Sequence, residues 1–484
     1  MTVDATAPSV PGRAEGALVH RDILPTTPAQ RVIGWLDFIW LWFGMIAQMG
    51  VFLLGASFAG RLSLVDALAA IAIGNLVVGI VSVLNGDIGI EHGVTYAVYL
   101  RAPYGIRGAW LPSLLRAGVA VCWFAIQTYF GAIAIDLSMK LLTGYSNWSL
   151  WYWTFGALQI WITMRGIHGI KLLENLAAPA LLLLSGWVVY LLGSQRGWDA
   201  VMSFPISTPL PFWAAVTANL SYWITVADNI PDFTRFVRTT PGARGFFARN
   251  RHSLIGQLPG LTLGMMVFAS VGYLGKVFTG YGNPVEAIGA ALGGLMVLVG
   301  LVIILLAQLS TNVAANLYAP GYVLSSVFAP RMSFARGVLI GGVIGLVAVM
   351  PWRLVNGFLT YLPSVGAALS PVAGIMLADY YLIRRRRLNV PALFRYDGPY
   401  TYRGGFNPAA YLAHIIASVL GVVFLRYSWL VSVPTAIVLY ATLMRVWVLR
   451  VHPAAGPGPG AALGTTAGRL WDEVGAAATP TPGL

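Results

Sequence analysis

The chain is poor in charge and almost without cysteine. Of its 484 residues only 10% are charged, and 57% are hydrophobic. Soluble globular proteins carry roughly 25% charged residues, so an ordinary soluble domain is excluded and a polytopic helical membrane protein is indicated. The one cysteine, Cys122, lies within an apolar stretch. An intramolecular disulfide is therefore impossible, and no Cys/His metal spacing exists. The six histidines are scattered singly and read as loop or packing residues. No GxxxxGK(S/T) phosphate loop occurs, which argues against ATP drive from this chain or an implied ATPase subunit. No Arg-rich voltage-sensor helix and no TVGYG filter occur, which argues against a channel. The N-terminus is rich in Pro, Thr and Ala and lacks a cleavable signal. No paired carboxylates, His cluster or nucleophile constellation sits in the apolar stretches, so the chain does not read as an enzyme. A secondary transporter is the class that survives.

A membrane-spanning helix needs about 20 apolar residues. Twelve such spans are expected, at about 33–58, 63–85, 109–137, 149–166, 172–193, 211–230, 254–276, 287–322, 334–351, 355–383, 407–425 and 428–448. They make up a transmembrane domain over 31–452. The flanks 1–30 and 453–484 are rich in Pro, Gly and Ala and are expected to be disordered and cytoplasmic. The net charge of +13 lies in short segments between spans, so it reads as positive-inside bias rather than a nucleic-acid surface. With both termini inside, the inner loops hold seventeen Lys and Arg against six in the outer loops. The run Arg384, Arg385, Arg386, Arg387 then reads as a membrane-edge anchor. The expected place is the cell membrane, multi-pass.

Two spans look interrupted. The first reads LWFGMIAQMGVFLLG, with Gly44, Gly50 and Gly55 around Gln48. The sixth reads TANLSYWITVADNIPDF, with Asn219, Ser221, Thr225, Asp228 and Asn229. Each glycine alone also fits close helix packing. Interrupted helices in corresponding positions of two halves point instead to a midplane site. Spans 1 and 6 correspond if 33–193 and 211–383 are inverted repeats of five helices, followed by two helices over 407–448.

The deep polar residues are amides and hydroxyls. In CWFAIQTYFGA, Trp123 and Gln127 share one helix face near the centre of a long span. Trp in membrane proteins usually marks the interface, and Trp123 is too deep for that. Trp223 is a second deep indole beside the expected break in span 6, and Gln48 lies in span 1. Amides offer paired donors and acceptors, and indole faces stack on flat rings. A neutral planar heterocycle with N–H and C=O groups would satisfy both.

The stretch AQLSTNVAANL, 307–317, concentrates Gln308, Ser310, Thr311, Asn312 and Asn316 in an apolar span. Two readings of Ser310 and Thr311 stand side by side. Their hydroxyls back-bond to the preceding turn, or they join the Ala307 carbonyl and carbonyls freed near Gly44 and Ala47 as oxygen ligands of a hard cation. Asn312 and Asn316 are four apart on one face, and Gln308 has no assigned role.

Together WFGMIAQ, NGDIGIEHGVTYAVYLRAPYGIRGAWLPSLLRA, CWFAIQTYFGA, YWITVADNIPDFTRF, LSTNVAANLYAP and LSPVAGIMLADYYLIRRRRL resemble the nucleobase–cation symporter family of hydantoin, allantoin, uracil and cytosine permeases. The resemblance runs over about 30–450, and the motifs come closest to the sodium-coupled hydantoin-transporting branch. It implies an all-α fold of twelve transmembrane helices, a five-plus-five inverted repeat with broken helices 1 and 6, and two further C-terminal helices. It implies a substrate ring between Trp123 and Trp223, hydrogen-bonded by Gln48, Gln127 and Asn316. It also implies a sodium site of Gly44, Ala47 and Ala307 carbonyls with Ser310 and Thr311 hydroxyls. No cofactor is implied beyond the coupling ion, which is sodium or, in some members, a proton. Asp228 is open: it carries a proton, binds an exocyclic amine, or pairs with a neighbour. Five residues from Trp223, it points about 140° away around a regular helix. An amino-acid or amine transporter of the same architecture is the rival reading, with Asp228 as its only obvious counter-charge. Partners are a small heterocycle and the bilayer, and no nucleic acid.

Overall fold

The computed structural model describes residues 18–239, 243, 245–282, 284–291, 296–348 and 358–458. Among these the chain is helical, with isolated bridges such as Ile33–Val237 in place of strands. Backbone groups in hydrocarbon must be satisfied within the segment, which favours helices. Every expected span coincides with a helix.

Span 1 is two helices, α1 (Trp35–Ile46) and α2 (Met49–Phe58), meeting at 68°. Next come α3 (Leu64–His92), α4 (Trp110–Thr143), α5 (Trp148–Thr163) and α6 (Ile167–Arg196). Spans 6 and 7 are α7 (Phe212–Asn229) and α8 (Arg251–Thr279). Span 8 comprises α9 (Met296–Thr311), a π-turn over Asn312–Asn316, and α10 (Tyr318–Val327). The last are α11 (Phe334–Ala348), α12 (Phe358–Leu377), α13 (Pro408–Val423) and α14 (Ser428–Leu443). Among the described residues, seven helices are long and apolar enough to cross a membrane, eight counting the bent pair. Exposed leucines on α6, Leu172, Leu176 and Leu183, mark an outward face suited to lipid.

The packing is reciprocal between two sets of five. Span 1 lies on span 7 (α1 and α2 on α8), and span 6 lies on span 2 (α7 on α3). Span 1 also meets span 5 (α1 on α6), and span 6 meets span 10 (α7 on α12). Span 5 touches span 8 (α6 on α9), and span 10 touches span 3 (α12 on α4). Exchanging the two sets maps each contact onto another, as the inverted repeat requires. α13 and α14 pack on each other and on α12, outside that pattern. Gly55 is a packing glycine: a Cβ there would overlap the Ala269 carbonyl of α8. Backbones approach this closely only where side chains are absent.

Two expectations need correction. Residues 18–30 and 453–458 are not disordered flanks; at the C-terminal end Ala455 is fully buried and its carbonyl accepts from Arg384 at 2.6 Å. Leu18, Ile23 and Leu24 are buried, and the Thr26 hydroxyl donates to the Arg235 carbonyl at 2.6 Å. Chain with enough apolar side chains to bury is held, whatever its Pro content. Residues 1–17 and 459–484 of the expected flanks, and 349–351 and 355–357 of two spans, lie outside the described residues. The second correction concerns the arginine run. Arg385 and Arg387 are exposed, but Arg384 is fully buried and pairs with Asp379 at 2.7 Å. Asp379 also accepts from Tyr99 (3.0 Å) and Tyr440 (2.6 Å). Arg384 donates to the Ala102 carbonyl at 2.9 Å and to Tyr402 at 3.0 Å. A guanidinium so enclosed ties spans 10 and 12 to the chain after span 2, which no edge anchor does.

Removing one partner of a buried ion pair leaves the other charge uncompensated, at about 3–5 kcal/mol. Asp379→Asn therefore lowers the thermal unfolding temperature of the purified protein by several degrees. An unchanged temperature would contradict the role assigned to this pair.

Candidate functional site

The break in span 1 organises the site. α1 ends at Ile46, and Ala47 (φ −68°, ψ 82°) and Gln48 (φ −153°, ψ 160°) leave the helical conformation. Carbonyls in the last turn of a helix lack the N–H that would follow. Here the Thr311 hydroxyl of α9 lies 3.2 Å from the Gly44 carbonyl and 2.9 Å from that of Met45. On the other side of the break, Gln48 caps α2: its Oε1 accepts from the Gly50 amide at 3.0 Å.

Gln48 is also a junction between helices. Its Oε1 accepts from Gln127 Nε2 of α4 at 3.0 Å, and its Nε2 donates to the Tyr222 hydroxyl of α7 at 2.5 Å. The Tyr222 ring lies 5.5 Å from that of Trp123 and 5.3 Å from that of Trp223. Gln48, Trp123, Gln127 and Trp223 are thus brought together, all buried. Two polar atoms there lack a hydrogen-bond partner among the described residues: the Gln127 Oε1 acceptor and the Trp223 Nε1 donor. Tyr222 was not singled out from sequence, although it adjoins Trp223. The interruption of span 6 also falls later than expected. α7 runs unbroken through Trp223 to Asn229, and a separate turn, Pro231–Thr234, follows. Pro231 lacks the amide that would continue α7.

Asn316 belongs to a second chain of bonds. Its Nδ2 donates to Asn312 Oδ1 at 2.7 Å. Asn312 in turn donates to Gln159 Oε1 of α5 (2.6 Å), Thr128 Oγ1 (3.2 Å) and the Phe124 carbonyl (3.2 Å) of α4. Trp123 and Gln127 share those turns of α4, so both chains meet on one helix. The π-turn lies across Asn312–Asn316, with the Leu317 amide bonded to the Asn312 carbonyl at 3.0 Å. Such turns occur frequently at functional sites. Gln159 is a second residue that sequence reasoning missed. Among the described residues Gln308 Nε2 back-bonds to the Ile304 carbonyl, at 3.5 Å.

Of the expected cation ligands, Gly44 and Thr311 are in contact. Ala307 is buried one turn before Ser310 and Thr311 on α9, and Ala47 lies at the break itself, buried. Ser310 instead faces α6: its hydroxyl donates to Glu174 Oε2 at 2.5 Å. The expectation that the deep polar residues are amides and hydroxyls fails here, at an ionisable carboxyl, and again at Arg116. Arg116 of α4 donates to Asn229 Oδ1 (2.9 Å) and to the Ala315 carbonyl (3.1 Å). Asp228 is fully buried, and neither of its carboxylate oxygens has a hydrogen-bond partner among the described residues. Both charges were visible in the sequence as ionisable residues inside apolar spans, where charge is expensive enough to mark a site.

A family model described as permeases for cytosine/purines, uracil, thiamine and allantoin matches residues 25–446. The chain belongs to this family. A hydantoin permease of Microbacterium maritypicum is 33% identical over 453 residues, covering 92% of each chain. A purine-uracil permease of Arabidopsis thaliana is 33% identical over 446 residues, 84% of this chain and 71% of that one. Among solved structures, the nucleobase-cation-symport-1 transporter Mhp1, closed with bromovinylhydantoin bound, aligns with a TM-score of 0.87 at 32% identity. That match covers 94% of this chain and all of the other. The protein is thus a multi-pass membrane permease of the nucleobase–cation symporter family, with relatives that are transporters rather than enzymes.

Asn312 satisfies partners on two other helices, and losing it strands Gln159 Oε1 and Asn316 Nδ2. An unsatisfied buried polar group costs about 1–3 kcal/mol. Asn312→Ala therefore destabilises the permease measurably in a thermal unfolding series. An unchanged transition would show that this chain of bonds does not brace the π-turn.

Proposed function

We propose that this permease is a secondary active symporter. It carries a neutral planar heterocycle of the nucleobase, hydantoin or allantoin class into the cytoplasm, coupled to sodium, by alternating access. The observation that carries the reading is the shared break in span 1. Gln48, at the break, bonds to Gln127 and Tyr222. Four residues earlier, the Gly44 carbonyl meets Thr311. One element therefore serves both a ring site and a cation site.

Trp123 and Trp223 supply faces for stacking, with Tyr222 against both. Gln48, Gln127 and Asn316 supply the hydrogen bonds. The unpartnered Gln127 Oε1 and Trp223 Nε1 are an acceptor and a donor of the kind that a ring N–H and C=O would satisfy. The uncharged character of this group favours a neutral ring over an amino acid.

At the cation site the donor set is the carbonyls of Gly44, Ala47 and Ala307 with the hydroxyls of Ser310 and Thr311. All are oxygens, the ligands that hard cations take. The Thr311 hydroxyl already sits among carbonyls of α1, and rotating its proton away presents a lone pair. Sodium there would join span 1 to span 8 and fix the geometry from which Gln48 meets the ring. Sodium then raises substrate affinity, and by reciprocity substrate raises sodium affinity by the same factor. Rocking of one helix set against the other follows occlusion. The loop charge bias supports cytoplasmic termini.

Radioligand binding to the purified permease tests this. At least one of uracil, cytosine, allantoin or benzylhydantoin is expected to bind, more tightly in sodium than in potassium. Binding of none of them would overturn the substrate class. Trp123→Ala is expected to cost about 1–3 kcal/mol of binding, by analogy with base–aromatic stacking. Undiminished affinity would remove Trp123 from the site. Thr311→Ala is expected to abolish most of the sodium enhancement, and sodium dependence equal to wild type would reject the cation site.

A further inference from the structure

Glu174 of α6 is 1% exposed. Its Oε2 accepts from the Ser310 hydroxyl at 2.5 Å, and its Oε1 has no hydrogen-bond partner among the described residues. No ion pair to it occurs among those residues either. The cation one turn earlier on its own helix, Lys171, is engaged by Asp37 at 3.0 Å. The next residue, Asn175, also bonds to Asp37, at 3.0 Å. Glu174, on the same face of α6, meets neither of these groups but reaches Gly44 of α1 and Ser310 of α9. A Cβ placed on Gly44 would overlap both the Glu174 carboxylate and the Ser310 hydroxyl. The carboxylate therefore fills the space that the missing side chain of Gly44 leaves, against the same backbone whose carbonyl meets Thr311.

An ionised carboxylate without a positive partner is costly in a buried site. The oxygens gathered around it are ligands for a small hard cation. From this geometry we infer that Glu174 is itself a ligand of the coupling cation, adding an anionic oxygen from span 5 to the neutral oxygens of spans 1 and 8. This rests on the cation site proposed above and changes its character. Five neutral oxygens become six with one negative charge, so the site is neutral with a monovalent cation in place. Charge count among oxygen ligands is a main determinant of cation affinity. The cation would also bind span 5 to the break in span 1, so three helices respond to its arrival instead of two.

Binding of radioactive sodium to the purified full-length permease at fixed neutral pH tests this, with thermal unfolding in sodium against choline as a second readout. Glu174→Gln is expected to raise the half-saturating sodium concentration by about tenfold or more, as loss of a charged ligand should. Glu174→Asp, which keeps the charge, is expected to retain more sodium binding than Glu174→Gln. If Glu174→Gln does not fold, Gly44→Ala displaces the carboxylate without altering charge and is expected to weaken sodium in the same direction. Sodium saturation of Glu174→Gln within about twofold of wild type, which is the result if a proton alone neutralises the carboxylate, would overturn the inference. Wild-type permease that binds its heterocycle but no sodium would instead overturn the sodium reading of the preceding subsection.

Discussion

A helix that breaks inside a bilayer exposes backbone groups that no water can reach. Everything around the candidate site answers that constraint. The break after Ile46 frees carbonyls on one side and amides on the other. Thr311 meets the carbonyls of Gly44 and Met45, and Gln48 meets the amide of Gly50. Both are side-chain substitutes for helix bonds, and both are replaceable by a ligand. In the proposed mechanism Thr311 yields its place to a cation, and Gln48 shares its amide with a ring. Span 8 repeats the device on a smaller scale, with a π-turn at Asn312–Asn316 held by Gln159 and Thr128.

In the proposed mechanism these two irregular segments carry the coupling. The proposed cation ligands of span 8 lie at the C-terminal end of α9, and the π-turn to Asn316 begins at the next residue. On span 1 the cation carbonyls precede Gln48 by one to four residues. A ligand at either place therefore biases the same two backbone segments. That is the differential contact any coupling between sites requires. Glu174, which accepts from Ser310, would extend the proposed arrangement to span 5.

Much of this was legible in the sequence because hydrophobicity and amide placement are local signals. The spans stood out by length, and Gln48, Trp123 and Gln127 stood out as polar or aromatic groups at depth. Other features depend on three-dimensional partners and were not legible. Tyr222 is an ordinary aromatic until its hydroxyl meets Gln48. Arg384 looks like its neighbours Arg385 and Arg387 until Asp379 encloses it. The π-turn has no periodic signature of its own. Glu174 is a different case: a carboxylate in LLENLAAPALLLL was visible, and only its aim at Ser310 needed the structure. Residues 18–30 were misread because Pro and Thr content outweighed the few apolar side chains that hold them.

Coupled flux in proteoliposomes tests the central claim most directly. The heterocycle that binds is loaded equally on both sides, and an inward sodium gradient is imposed. The account predicts accumulation above the external concentration, collapsing when sodium is equalised and absent in Thr311→Ala. Equilibration without accumulation, at a rate indifferent to the sodium gradient, would contradict it.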